Sequence, residues 1–185
     1  VTPTLSIFVA ASLDGFIARP DGSIDWIDAA HAELPRGEDC GYEAFMADID
    51  VVVMGRTTFE QVLGFEKWPY DGKRVIALSR RTLKIPSLLA PGVSHSREAP
   101  HELVARLATE GARHVHVDGG ITIRRFLSAG LIDRMTITTI PILLGAGRPL
   151  FGPLPADRKL TLLASKAYPS GLMQSTWRIE PDAPR

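Results

Sequence analysis

What this chain has little of narrows its possibilities first. A single cysteine, Cys40, leaves no partner for an intrachain disulfide, so a disulfide-stapled scaffold is excluded and a reducing, cytoplasmic setting is expected. There is no excess of charge of either sign. Lys+Arg and Asp+Glu both number 21, so the bulk electrostatics recruit neither nucleic acid nor an anionic membrane, and any anion site has to be local. Long apolar runs and a basic leader are also missing: "VTPTLSIFVAASLDG" reads as a first strand, not as a signal peptide or membrane span. Without repeats, low-complexity stretches or a dividing linker, the 185 residues read as one domain, 1–185.

What is present is an alternation of strands and helices. Leu5 to Ala11 is nearly continuously apolar, as in a strand covered on both faces, and turns follow at Asp14-Gly15 and at Arg19 to Ser23. Glu38 to Ala47 is expected to be helical, with Tyr42, Phe45 and Met46 on one face. "DVVVMGRTTFE" (Asp50 to Glu60) joins a strand to a helix start, and "GKRVIALSRR" (Gly72 to Arg81) is the next strand. Thr82 to Pro100, broken by three prolines, is expected to be loop with at most a short strand near Val93. The helix "HELVARLATEG" carries a stripe of Leu103, Val104, Leu107 and Ala108 and ends at Gly111. "HVHVDGG" and "TIRRFLSAGL" give a strand and a helix, "DRMTITTIPILL" a long strand, and "GAGRPLFG" a glycine-rich loop. The final stretch from Lys159 to Ile179 reads as a hairpin closing through "YPSG". The pattern predicts an α/β fold whose mostly parallel sheet ends in an antiparallel hairpin edge.

Three turns share one logic. In "MGRTTFE", Thr57 and Glu60 form a capping-box pattern that predicts a helix starting at Thr57, with Arg56 placed just before its positive end. Two positive features side by side call for an anion between them, and Gly55 lets it approach the backbone. In "ALSRR", Ser79, Arg80 and Arg81 follow a strand directly and suit a phosphate monoester. In "VHVDGGITIRRF", Gly119 and Gly120 precede a helix beginning near Ile121 or Thr122 and suit a pyrophosphate. Ligands of open α/β sheets collect outside the carboxyl ends of the strands, where all three turns fall, so the expected ligand is a phosphorylated dinucleotide, NADPH. Other polar residues invite blander readings. Asp14 is a turn residue. His114 and His116 share a strand face but have no third ligand, so they are expected to be partly exposed structural histidines and no metal is called for. Cys40 has no adjacent base to activate it.

The ordered series "VAASLDGFIA", "IDWI", "DVVVMGRTTFE", "KRVIALSR", "VDGGITIRRFL" and "TITTIPILLGAGRPLF" resembles the dihydrofolate-reductase-like superfamily. Within it, the series resembles the group related to the reductase domain of bacterial riboflavin biosynthesis, the RibD C-terminal domain. The resemblance implies a three-layer dihydrofolate-reductase-like fold and NADPH as hydride donor to a pyrimidine or pterin-like substrate. It assigns the adenosine phosphates to Gly55, Arg56, Thr57 and Thr58 and to Leu78, Ser79 and Arg80. The pyrophosphate falls to Gly119, Gly120, Ile121 and Thr122, and the nicotinamide flank to Ala11 and Ile17. It also places the substrate between the first strand and the first helix, with Trp26 on one side and Tyr42 and Phe45 as the opposite wall. A proton donor is sought on that helix at Asp39 or Glu43, of which Asp39 also reads as a solvated helix-start carboxylate. The same resemblance implies a homodimer. Two alternatives stay open: dihydrofolate-reductase-like activity, and an NADPH-binding module or sensor without turnover.

Overall fold

The computed structural model describes residues 1–181. Its strands are β1 (Thr4–Ser12), β2 (Phe16–Ala18), β3 (Val51–Gly55), β4 (Arg74–Leu78), β5 (Val93–Ser96), β6 (His114–Asp118), β7 (Arg134–Ile140), β8 (Arg148–Pro149), β9 (Leu160–Ala167) and β10 (Met173–Ile179). The helices are α1 (Asp25–Ala32), α2 (Tyr42–Ala47), α3 (Arg56–Val62), α4 (Pro100–Thr109) and α5 (Gly120–Ser128).

Eight strands form one sheet in the order β5-β4-β3-β6-β1-β7-β10-β9, and β2 pairs with β8 in a separate two-stranded ribbon. From β5 to β7 every pairing is parallel; β10 runs antiparallel to both β7 and β9. This is the expected parallel body with a hairpin edge.

The period of two along each strand builds a core on both faces. In β3, Val51 and Val53 join Leu5, Ile7 and Val117 under Leu103 and Leu107 of α4 and Ile123 and Phe126 of α5. Val52 and Met54 point the other way, with Val75 and Ala77, against Met46 of α2 and Phe59 and Val62 of α3. A third, smaller cluster lies under α1, where Trp26 and Ala30 meet Cys40, Ile140, Tyr168 and Leu172. Each fully buried Leu, Ile or Phe adds about 1.5–3 kcal/mol, so the two large clusters hold the sandwich together.

Four local expectations need correction. The helix α1 is unforeseen; eight residues with Asp25 and Asp28 in the first turn bury only Trp26 and Ala30, too weak a stripe to read from sequence. The expected helix from Glu38 begins only at Tyr42, because Cys40 (φ 57°) and Gly41 (φ 80°) are left-handed. The capping box at Thr57 does not form: Gly55 is the N-cap, α3 starts at Arg56, and Glu60 instead faces Arg56 at 3.8 Å. The long strand from Asp133 stops at Ile140, before Pro141, whose missing N–H cannot extend the ladder.

Candidate active site

Register brings the three expected turns together. Gly55 stands opposite Leu78, and Met54 opposite Asp118, so the carboxyl ends of β4, β3 and β6 form one continuous edge. The first turns of α3 and α5 sit side by side on it. A Cβ on Gly55 would come within 2.8 Å of Thr122 Oγ1, and one on Gly119 would run into Thr58. Gly119 also has φ 85°, a conformation that side chains disfavour. The glycines therefore let two helix starts press together, with Thr58 and Thr122 filling the space a Cβ would need; close approach to a ligand is not what demands them.

The consequence is a doubled positive end. Neither α3 nor α5 has a side-chain cap on its first-turn N–H groups. Each such terminus carries about half a positive charge. Arg56, some 42% exposed, adds its guanidinium, and Glu60 at 3.8 Å balances it only loosely. Gly120 is hemmed in by Ile17 and the Pro149 carbonyl, and Arg124 donates to that same carbonyl. Ile121 is exposed beside this edge. Uncapped N–H groups on paired helix starts are a donor set that fits a pyrophosphate.

Next along the edge, Leu78 is buried and Ser79 begins a tight turn. Its hydroxyl accepts from Arg81 N at 3.0 Å and donates to Arg81 O at 2.7 Å, while its carbonyl accepts from His95 at 2.7 Å. Arg80 is exposed and has no ion-pair partner among the described residues. Ser79 thus shapes the turn, and Arg80 is the cation it leaves available.

At the end of β1, Ala11 is buried in the α5-side core with Ile17 packed against it. Asp14 does more than turn the chain. It takes the Ser12 hydroxyl at 2.6 Å and the backbone N–H groups of Leu144 and Gly145 at 3.1 and 2.7 Å, buckling the β1–β2 turn to the glycine-rich loop. These donors, Ser12 foremost, hold its carboxyl below the usual range.

The opposite sheet face carries a cluster of packed aromatic side chains. Phe8 on β1 meets Tyr42 edge-on at 5.5 Å and Phe45 at 5.0 Å; Phe45 in turn abuts His116 at 5.1 Å and His114 at 6.1 Å. Both predicted wall residues are therefore here, with Phe8 as an unforeseen third. Trp26 lies deeper, packed within the α1 cluster, and its indole N–H is buried without a partner. His116 is buried, not partly exposed, and desolvation lowers its pKa, so it is neutral and rests its Nδ1 on the Ser6 carbonyl. His114 pairs with the Ser6 hydroxyl at 2.7 Å. No His/Cys/Asp/Glu group among the described residues is arranged to hold a metal.

Of the two carboxylates sought as proton donors, Asp39 precedes α2 and Glu43 lies in its first turn. Asp39 spends both oxygens on the N–H groups of Gly41 and Glu43, at 2.8 and 2.6 Å, and the Glu43 contact chiefly lowers its pKa. It is the helix-start carboxylate of the second reading. Glu43 is exposed and lines a surface hollow with Asp39, Ala44 and Ala47. The carboxylate on the same sheet face as the aromatic cluster is Asp118, at the end of β6. Its Oδ1 accepts Gly119 N at 2.7 Å and its Oδ2 accepts the Tyr70 hydroxyl at 3.1 Å. Burial, then the Asp118 charge, raises Tyr70 above the ordinary phenol range and pushes Tyr42 up to about 12. Sequence reading treated "VDGG" as a glycine turn and passed over its acid; the alternation His114, His116, Asp118 was the available signal, since it sets all three on one face.

A mostly parallel sheet with helix starts gathered at its carboxyl edge and an antiparallel hairpin margin is a dihydrofolate-reductase-like fold. Dihydrofolate reductase from Enterococcus faecalis, whose structure holds NADP(H), superposes with a TM-score of 0.63 at 17% identity, covering 97% of this chain and 98% of that one. The chain belongs to the RibD C-terminal domain family, whose model matches residues 3–174. A Shewanella sp. PV-4 protein with a provisional riboflavin-biosynthesis name is 36% identical, with a TM-score of 0.89 over 96% of this chain and 99% of that one. YwjB of Bacillus subtilis is 35% identical over 164 residues, 88% of this chain and 90% of its own. The Thermotoga maritima deaminase and 5-amino-6-(5-phosphoribosylamino)uracil reductase shares the fold at 16% identity and a TM-score of 0.69; this chain covers 57% of it.

Proposed function

We propose that this protein is an NADPH-dependent reductase of a pyrimidine or pterin-like heterocycle, closest in activity to 5-amino-6-(5-phosphoribosylamino)uracil reductase. The observation that carries the reading is the pair of uncapped helix starts at Gly55–Arg56 and Gly119–Gly120, with Arg80, exposed and without an ion-pair partner among the described residues, one strand away. The first suits a pyrophosphate and the second a ribose-linked phosphate monoester, and a phosphorylated dinucleotide carries both. When bound, that cofactor supplies a hydride. Ala11 and Ile17 frame the ring, and Ile121 offers apolar surface along the way.

The groove supports a planar substrate. In this reading Phe8, Tyr42 and Phe45, whose rings pack on one another, form one wall of the substrate site, and the buried Trp26 N–H, without a hydrogen-bond partner among the described residues, lies behind it. Asp118, steadied by Tyr70, is the carboxylate in reach, suited to receive the N–H groups of an aminopyrimidine or to hold the proton that must accompany a hydride. Asp118 replaces Asp39 and Glu43 in that role because those two point outward.

Titration with NADPH and NADH tests the cofactor. NADPH should bind at least roughly tenfold more tightly, and Arg80→Ala should erase most of the difference, since a charge-assisted contact is worth about 1.5–3 kcal/mol. Equal affinities in the unaltered protein would sink the reading. The same preparations, given the ribosylaminopyrimidine phosphate or dihydrofolate, separate a reductase from a binding module by NADPH oxidation.

A homodimer is part of the proposal. On the hairpin's α5-side face, Leu160 pairs with Ile179 and Leu162 with Trp177, while Leu160, Leu162 and Met173 are 44%, 49% and 63% exposed. A second copy would cover this apolar strip at the sheet edge. Light scattering should give twice the chain mass, and Leu162→Asp should halve it; a monomer at micromolar concentration would refute the pairing.

A further inference from the structure

We infer that Gln174, on β10, is a positioning residue for the substrate groove: its amide locks the loop that aims α2 at β1. The inference rests on the reading above that Tyr42 and Phe45 wall that groove. Gln174 lies far from the cofactor edge, at the hairpin margin of the sheet.

Its Nε2 uses both hydrogens. One goes to the Cys40 carbonyl at 2.8 Å and the other to Thr138 Oγ1 at 2.9 Å. Thr138 is a firm anchor, buried on β7, with Ala10 of β1 on one side in register and Gln174 itself on the other. Cys40 is the opposite, a residue in an unfavourable state. Among the described residues it is the one non-glycine with positive φ, and such a conformation persists only where its surroundings over-determine it.

The surroundings are the hairpin. Besides the Gln174 contact, Glu38 accepts Cys40 N at 2.8 Å through one oxygen and pairs with Lys166 of β9 at 3.2 Å through the other. Lys166 also lies 4.1 Å over the Tyr168 ring, and Tyr168 packs in the same cluster as Cys40. Glu38–Lys166 is exposed and screened, so Gln174 is the tie that water competes with least.

Two left-handed residues in succession, Cys40 and Gly41, set the direction in which α2 leaves the loop. At six residues α2 is too short to hold itself, and its place depends on that exit and on packing. Its inward side carries Tyr42 and Phe45 onto Phe8. The amide of Gln174 therefore fixes the groove's width from the rear, through Cys40, without touching the ring pocket. A glutamate there would turn acceptors toward a carbonyl, and an asparagine would fall one methylene short.

The test compares the unaltered protein with Gln174→Met, which keeps the volume and removes both donors. Amide hydrogen exchange across Cys40–Ala47 should quicken roughly tenfold or more while α4 and α5 keep their protection. NADPH affinity should stay within about twofold, and KM for 5-amino-6-(5-phosphoribosylamino)uracil should rise about tenfold with a smaller change in kcat, the mark of lost ground-state positioning. Adding Cys40→Gly should recover part of both effects, because glycine accepts positive φ without a lock. Unchanged exchange in this segment, loosening spread evenly over the fold, or an NADPH affinity that falls with the KM effect would each overturn the inference. If the unaltered protein does not turn over the pyrimidine, the functional proposal fails for that substrate while the exchange pattern still decides whether Gln174 sets the loop.

Discussion

The edge where β4, β3 and β6 end and the aromatic cluster of Phe8, Tyr42 and Phe45 are built by opposite means. At the edge, each part is local: a strand ends, a turn follows, and the next few residues supply the donors, as in Gly55–Arg56, Leu78–Arg80 and Asp118–Gly120. The aromatic cluster draws on remote parts. Phe8, Tyr42, Phe45, Tyr70 and Asp118 come from four stretches, only Tyr42 and Phe45 sharing one, and the lock behind them reaches from residue 40 to residue 174. An edge assembled from consecutive residues tolerates change elsewhere in the chain. A groove assembled from remote ones is sensitive to single long-range hydrogen bonds.

The largest expected effect breaks the edge. Gly119→Ala must meet Thr58 and also bear φ 85°, so it should destabilise the protein by at least about 2 kcal/mol, read as a lower urea midpoint. Gly145→Ala shares the backbone strain at φ 73° but meets nothing within 4 Å. It should cost clearly less, and equal midpoints would refute the role given to helix–helix contact.

A middle-sized effect isolates the groove. Asp118→Asn keeps the shape, with its amide oxygen accepting Gly119 N and its NH2 able to donate to the Tyr70 oxygen, so folding and NADPH affinity should hold, while kcat falls by roughly 10²-fold if the carboxylate serves the proton. An unchanged kcat would return that task to a water molecule or to another group.

The smallest concerns the buckle between the halves. Asp14, with its carboxyl held below the ordinary range, contributes stability that is fully present above the unfolded-state pKa and lost as pH falls through the lower folded value. The melting-temperature gap between the unaltered protein and Asp14→Asn should thus be widest near neutral pH and close under strongly acidic conditions. A gap that widens on acidification would contradict the sign.

The sequence was a good guide where the signal was short-range. Apolar runs placed β1, β3, β4 and β6, and the spacing of Leu103, Val104 and Leu107 placed α4. The boundaries failed where a local pattern met a tertiary demand. Thr57 and Glu60 spelled a capping box, yet the packing of Thr58 on Gly119 and Thr122 on Gly55 started α3 a residue earlier. Acids near residue 39 suggested an earlier helix start, but the left-handed Cys40, held by Gln174 across 134 positions, delayed it to Tyr42. Asp39 and Glu43 were the natural acids of the expected helix, but Asp39 falls before α2 and accepts its first N–H groups, while Glu43 lies on its exposed side.

By itself, then, the chain determined its α/β order, its two-faced core and the run of turns at the strand ends, because hydrophobic period and turn chemistry act over a few residues. Tertiary structure alone decided which carboxylate faces the groove, why Gly55 and Gly119 must be glycine, and what holds α2 in place. Those answers depend on contacts between residues 48 to 134 positions apart, and no local pattern records them.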